Sequence, residues 1–388
     1  VKVAVIGAGI AGAAAAYEIY RQGGRATVFH DVAGSSGLYS GALDLEPWDR
    51  AADVGPLERE LAEFSNALDA WEFAPTARCI ATIEGNVRPA RGSDRALLDL
   101  QRCAGKRVGV VDLERDDWDA ALLAKSFGGS AWAVRTRTEF LPVPIKALKN
   151  GFERRISGYD FAALHDAPER ARGLELALRE SGVTPDAWLF GPWLGIERAL
   201  AQQLSAALGV PTGETTSAPG GAAGARFENA RDRLLARTAD VERARLVGIE
   251  RRGSGYCLRL RDRVAQEFPA VVLATGGVAA GGVALERSFE RRGGTGFRLS
   301  FAAPFALQLD DEVVEGVSSL SSIDFVERGL GALLDVGIAT RVDGSVRDSP
   351  GIFVAGDAVA GRPRTALIAA QSGIGAARSA LEYGQRSS

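Results

Sequence analysis

The run Val3-Ala4-Val5-Ile6-Gly7-Ala8-Gly9-Ile10-Ala11-Gly12 constrains this chain more than any other segment. Four apolar residues read as a buried parallel strand, and the glycines open a helix whose small residues, Ala11 and Ala13 to Ala16, pack closely on a sheet. A strand, a G-x-G-x-x-G turn and a helix in that order bring backbone N–H groups to a pyrophosphate. The helix start carries unpaired donors, and glycine leaves room for the phosphate. Gly23-Gly24 ends the helix and Ala26 to Phe29 reads as a second parallel strand. Asp31 then falls 19 positions after Gly12, where a carboxylate holding a ribose hydroxyl is expected.

A second segment narrows the nucleotide. Gly351-Ile352-Phe353-Val354-Ala355-Gly356-Asp357 is an apolar strand that delivers a carboxylate beside another small-residue helix, expected to begin near Ser372 and to include Gly373. One carboxylate there can accept hydrogen bonds from ribitol hydroxyls, and a helix start can face the pyrimidine edge of a flavin. Leu273-Ala274-Thr275-Gly276-Gly277 supplies a third strand ending in glycine. The expected cofactor is FAD, held by both ends of the chain, with FMN as the alternative.

Composition excludes several other classes. The 388 residues are 46% hydrophobic and carry a formal charge of −3, so no basic surface advertises nucleic acid. Cys79, Cys103 and Cys257 lie far apart and the only histidines are His30 and His165, which gives no spacing for zinc or an iron–sulfur cluster. Lysine is confined to Lys2, Lys106, Lys125, Lys146 and Lys149, leaving few candidates for a lysine base. No apolar run reaches the length of a membrane span, and the first strand begins at residue 2, so the expectation is a cytoplasmic protein.

These signals predict an α/β fold: a doubly wound FAD/NAD(P)-binding Rossmann-type domain from residues 1–46, 196–282 and 330–388, with an inserted α+β substrate domain from 47–195 and 283–329. Helices are expected over Leu57 to Phe73, Ser93 to Arg102 and Ile196 to Leu208. Gly7, Gly9, Ile10, Ala11, Gly12, Asp31, Thr275, Gly276, Gly356, Asp357 and Gly373 are candidate cofactor-binding residues. Ser40, Gly41 and Ala42, in a small-residue stretch after the second strand, join them. Arg226, following the turn Pro219 to Gly224, is a candidate clamp for an anionic small-molecule substrate. No catalytic base is identified, because neither histidine sits in a motif that places it over a flavin.

Several pieces occur in a familiar order: Ser40-Gly41-Ala42-Leu43-Asp44-Leu45, Ser157-Gly158-Tyr159-Asp160-Phe161, Gly191-Pro192-Trp193-Leu194-Gly195, the turn from Pro219 to Arg226, Leu273 to Gly277 running into Gly281-Gly282, and Ala355-Gly356-Asp357. In that order they resemble a flavoprotein subunit family of anaerobic glycerol-3-phosphate dehydrogenase. The resemblance implies a flavoprotein with FMN or FAD that oxidises sn-glycerol 3-phosphate to dihydroxyacetone phosphate. It implies electrons passed to quinone, and partners comprising a second flavoprotein subunit and an iron–sulfur subunit at the inner membrane. Asp31 and Asp357 depart from the family toward full FAD. Two rival expectations stand beside it: an FAD enzyme of the fumarate reductase kind acting on another small acid, and a non-catalytic flavin-bearing electron-transfer subunit.

Overall fold

Strands buried on both faces must alternate two sets of apolar contacts, and the first strand shows both. In the computed structural model β1 (Lys2–Ile6) sends Val3 and Val5 into a core shared with helices, and Ala4 and Ile6 into a core shared with an antiparallel sheet. The structure describes residues 1–32, 34–44, 57–197, 200–261, 264–289, 295–301, 307–309, 312–314, 318–321 and 336–387.

Four further strands join β1: β2 (Arg25–His30), β3 (Ala239–Arg243), β4 (Ala270–Leu273) and β5 (Ile352–Val354). All pair in parallel in the order β3-β2-β1-β4-β5. Registers run from Lys2 opposite Arg25 to Ile6 opposite Phe29, and from Val3 opposite Ala270 to Ile6 opposite Leu273. The chain moves to one side of β1 for β2 and β3 and to the other for β4 and β5. This reversal opens a crevice at the carboxyl ends of β1 and β4, the place where doubly wound sheets bind ligands.

Three helices cover one face. Helix α1 (Ile10–Arg21) links β1 to β2, α2 (Ala222–Thr238) leads into β3, and α3 (Ala366–Ser387) follows β5. Ala13, Ala14, Ala15 and Ala16 are fully buried because α1 lies against α3 at backbone contact: a methyl placed on Gly373 would sit 2.2 Å from the Ala11 carbonyl oxygen. On the other face, an antiparallel sheet of 246–252, 255–260 and 264–268 packs Tyr256, Leu258, Leu260 and Phe268 against the strands.

The intervening segment builds two other sheets. Strands 42–43, 87–94 and 71–81 are antiparallel, whereas 139–144, 107–112, 187–190 and 212–214 form a wholly parallel sheet in that order. Pro142 and Pro144 are tolerated because 139–144 is an edge strand. A separate core of Val108, Val110, Phe127, Leu189, Phe190 and Trp193 supports this sheet.

Several boundaries differ from the expectations. Thr212–Glu214, expected in the resumed nucleotide-binding domain, pairs with 187–190 in the second parallel sheet. The helix expected over Leu57 to Phe73 spans Glu58–Leu68, and the chain is extended from Trp71. Ser93 closes a strand, paired with Ala42 and Glu72, instead of capping a helix. Leu200–Leu208 is helical; Ile196, the expected start, lies in a bend, and residues 198–199 are outside the described residues. Within 283–329, described strands 283–289, 295–301 and 318–321 form an antiparallel sheet, and Val283 packs against the nucleotide-binding sheet. Much of this expected cap segment lies outside the described residues.

Candidate functional site

A cavity of about 980 Å³ lies at the carboxyl ends of β1, β2, β4 and β5. Gly7, Gly9, Ile10, Ala11, Asp31, Thr275, Gly276, Gly356 and Asp357 all line it. Segments separated by more than 300 residues thus converge on one concave space. This volume is at the upper end of the roughly 300–1,000 Å³ spanned by small-molecule sites.

The floor is built by backbone. Gly7 has φ +109°, and a methyl there would lie 2.2 Å from the Ala274 carbonyl oxygen, so only glycine lets β1 turn into α1 beside β4. Gly12 is a packing residue: its added methyl would strike the Gly7 carbonyl oxygen at 1.9 Å, and it does not line the cavity. Gly9 caps α1 without a side chain, and the Ile10 N–H donates to the Ser36 hydroxyl at 3.0 Å. The following N–H groups of the first turn have no acceptor within the helix. Together with the aligned peptide dipoles they make this end a place for an anion. Sequence reasoning misses Ser36; only its place in the small-residue stretch after β2 points to it.

Two carboxylates stand at the walls. Asp31 follows β2 and lies 3.9 Å from an Arg245 guanidinium nitrogen. Beside it His30 is held below its ordinary pKa by burial and by the nearby Arg231 and Arg243 cations, so it is neutral near pH 7. Asp357 follows β5 in a tight turn that needs Gly356 at φ +68°. Burial raises its carboxyl, opposed by the charge of Arg364 and a hydrogen bond with Ser35. Thr275, at the end of β4, has a buried hydroxyl with no hydrogen-bond partner among the described residues. A polar atom in that state at a cavity wall calls for a ligand acceptor or donor. Helix α3 begins at Ala366, six residues before the expected Ser372, and its first turn reaches the cavity through Thr365, Ala366 and Ala369. Ser372 is instead inside the helix, where its hydroxyl accepts from the Gly356 N–H at 2.8 Å.

Other candidates lie elsewhere. Gly373 contacts α1 as described, away from the cavity. The Ser40 carbonyl accepts from Ser217 N–H, the Gly41 carbonyl from Asp94 N–H, and Ala42 pairs with Ser93, so all three build the junction with the antiparallel sheet.

Arg226 is corrected as a substrate clamp. It is 3% exposed, and its guanidinium reaches Asp94 at 3.1 Å, Glu214 at 2.7 Å and the Gly195 carbonyl at 2.6 Å. Its donors are engaged by buried acceptors and do not line the cavity. Burial raises the Glu214 carboxyl to about 7, against the opposing pull of Arg226.

His165 is also remote from the cavity. It is buried, its Nδ1 lies 2.9 Å from the Trp193 carbonyl, and burial lowers its pKa to about 4. Among the described residues no group of three His, Cys, Asp or Glu side chains is placed to hold a metal ion, and no helix is long and apolar enough to cross a membrane.

Fold and cavity together define a doubly wound α/β protein of the dinucleotide-binding class. No family model and no curated protein matches the chain. Among solved structures it is similar to glycine oxidase from Geobacillus kaustophilus, with 14% identity over 99% of this chain and 94% of that one and a TM-score of 0.35. It is also similar to 3-ketosteroid delta1-dehydrogenase from Sterolibacterium denitrificans, 11% identical over 98% and 99% of the two chains, with a TM-score of 0.40. A flavoprotein/dehydrogenase from Cytophaga hutchinsonii is 10% identical over 100% and 79%, with a TM-score of 0.37. All three scores are below 0.5, so the assignment of the site rests on its own geometry.

Proposed function

We propose that this protein is a flavin-dependent oxidoreductase that binds FAD in the 980 Å³ cavity. The observation that carries the reading is the convergence of the α1 start, Asp31, the orphaned Thr275 hydroxyl and Asp357 on one space. In this assignment the first-turn N–H groups of α1 and the Ser36 hydroxyl hold the pyrophosphate. Asp31 accepts from the adenosine ribose, and Asp357 accepts from the ribitol. The start of α3 lends its positive end to the ring system. FMN has no adenosine ribose for Asp31 to hold.

The flavin, when bound, supplies the acceptor for a hydride from the substrate carbon. This chain's part is to orient that carbon, exclude water and stabilise charge. The proposed substrate is sn-glycerol 3-phosphate, supported by the ordered motifs that resemble the flavoprotein subunit family of anaerobic glycerol-3-phosphate dehydrogenase. The same resemblance supports partner subunits carrying electrons to quinone. Two of those motifs, Gly191 to Gly195 and Pro219 to Arg226, meet at the buried Arg226 cluster, so what they share with the family is first an internal framework.

The test is direct. The purified protein, reconstituted with FAD and with FMN separately, is separated from free flavin and its spectrum recorded. Retention of FAD in preference to FMN supports the cofactor assignment, and a colourless protein after both overturns it. Bleaching of the flavin band on anaerobic addition of sn-glycerol 3-phosphate supports the substrate, whereas an unchanged spectrum refutes it for the isolated chain.

A further inference from the structure

The cluster around Arg226 contains one more carboxylate than it has cations. Asp94 is 1% exposed, Glu214 1% and Arg226 3%, and each comes from a different part of the chain: strand 87–94, strand 212–214 and α2. Arg226 Nε lies 3.1 Å from both Asp94 oxygens and Nη2 lies 2.7 Å from Glu214. The Ala96 N–H donates to Asp94 at 2.8 Å, and the Leu194 N–H donates to Glu214. With one carboxyl protonated the cluster is neutral; with both ionised a net negative charge is buried, which is costly in a low-dielectric interior.

This cluster is joined to the cavity wall by short contacts. One turn beyond Arg226, Glu228 and Arg231 line the cavity. At the start of α2, Gly224 packs so closely on Gly37 that an added methyl would lie 2.2 Å from the Gly37 carbonyl oxygen. Ser217 N–H donates to the Ser40 carbonyl and Gly220 N–H to the Gly37 carbonyl. Residues 35–39 therefore rest on α2, and Ser36 in turn meets the first N–H of α1.

We propose that Asp94, Arg226 and Glu214 form a proton-linked latch that sets the wall of the dinucleotide cavity, binding an anionic dinucleotide more tightly when Glu214 holds a proton. The proposal rests on the cavity being a dinucleotide site. Both physical effects have the same sign. Removing the buried excess charge lessens repulsion of the pyrophosphate, and it removes the drive for α2 to shift and admit water. Other titratable groups also face the cluster. The Tyr39 phenol, in the field of Asp94 and Arg226, is held well above its ordinary value by burial. Asp166, near Arg226 and hydrogen-bonded to the Ile196 and Glu197 N–H groups, is raised by burial from a carboxylate's ordinary low value, with Glu197 adding to the rise. The two histidines are both lowered, His165 to about 4, so each makes stability rise with pH in wild type and variant alike, whereas Glu214, raised to about 7, makes it fall.

The experiment measures two quantities on wild type and Glu214→Gln: the Tm without ligand and the Kd for FAD, each from about pH 5.5 to about pH 8. Relative to Glu214→Gln, whose profile carries the contribution of the histidines common to both proteins, wild-type Tm declines across this range and FAD affinity weakens by about threefold or more. A Tm profile with the same pH dependence in both proteins overturns the latch. A Tm difference that declines with pH, with FAD affinity following the same pH profile in both proteins, overturns its link to the cavity. Failure of both proteins to bind FAD at any pH overturns the cofactor assignment, while the ligand-free Tm profiles still decide the proton linkage.

Discussion

Replacing Arg226 by methionine separates a structural cation from a substrate clamp. The substitution keeps much of the side-chain volume but leaves Asp94 and Glu214 without their cation and the Gly195 carbonyl without a donor. Removing one partner of a buried ion pair costs about 3–5 kcal/mol. Unfolding entropy of about 2.1 cal/mol/K per residue over 388 residues gives about 0.8 kcal/mol/K, so a chain melting as one unit loses roughly 4–6 °C of Tm. The loss depends on pH in a defined direction. Without the guanidinium's opposing pull, burial favours the protonated Glu214 carboxyl still further in the folded state, so the variant's deficit is smallest at acid pH and grows as pH rises. Circular-dichroism melts at about pH 5.5 and about pH 8 measure it. A variant that melts within about 1 °C of wild type at the higher pH refutes the structural assignment. If the same variant showed only a raised KM, the clamp expected from the sequence would be restored.

Other consequences are equally open to measurement. Gly12→Ala drives a methyl against the Gly7 carbonyl oxygen, and dinucleotide retention on gel filtration should be lost, with the Tm reduced. Asp357→Asn removes a charged acceptor and should weaken FAD binding by about 10- to 150-fold by calorimetry, on the 1.5–3 kcal/mol scale of a charged hydrogen bond. Thr275→Val takes away an orphaned hydroxyl, so ligand-free stability should be unchanged or higher while FAD affinity falls, a split readable by paired melts with and without cofactor.

The part of the molecule legible in its sequence is the part set by backbone sterics. Gly7 and Gly356 sit where a side chain would collide with neighbouring atoms, and such positions announce themselves in a single chain. Arg226 misleads because its role depends on Asp94, 132 residues away in sequence, and an arginine after a glycine-rich turn looks the same whether it faces solvent or a buried carboxylate. The early start of α3 is hidden by Pro363, three residues before it; Thr365, whose hydroxyl accepts from the Ile368 N–H, is the overlooked cap. The second parallel sheet is legible only as separate extended segments, because nothing in a single sequence says that 139–144, 107–112, 187–190 and 212–214 pair in that order. For Ser40 to Ala42, small residues signal close approach correctly but not the approaching partner, which is protein.

The contact between Gly373 and the Ala11 carbonyl acts as a fixed ruler. Because two main chains touch with no side chain between them, the spacing of the two helices at this point is set by main-chain van der Waals contact, not by rotamers. Substitutions around the pocket can therefore retune chemistry and preference while the spacing of these helices stays constant, and any side chain larger than hydrogen at Gly373 would widen it for every ligand at once.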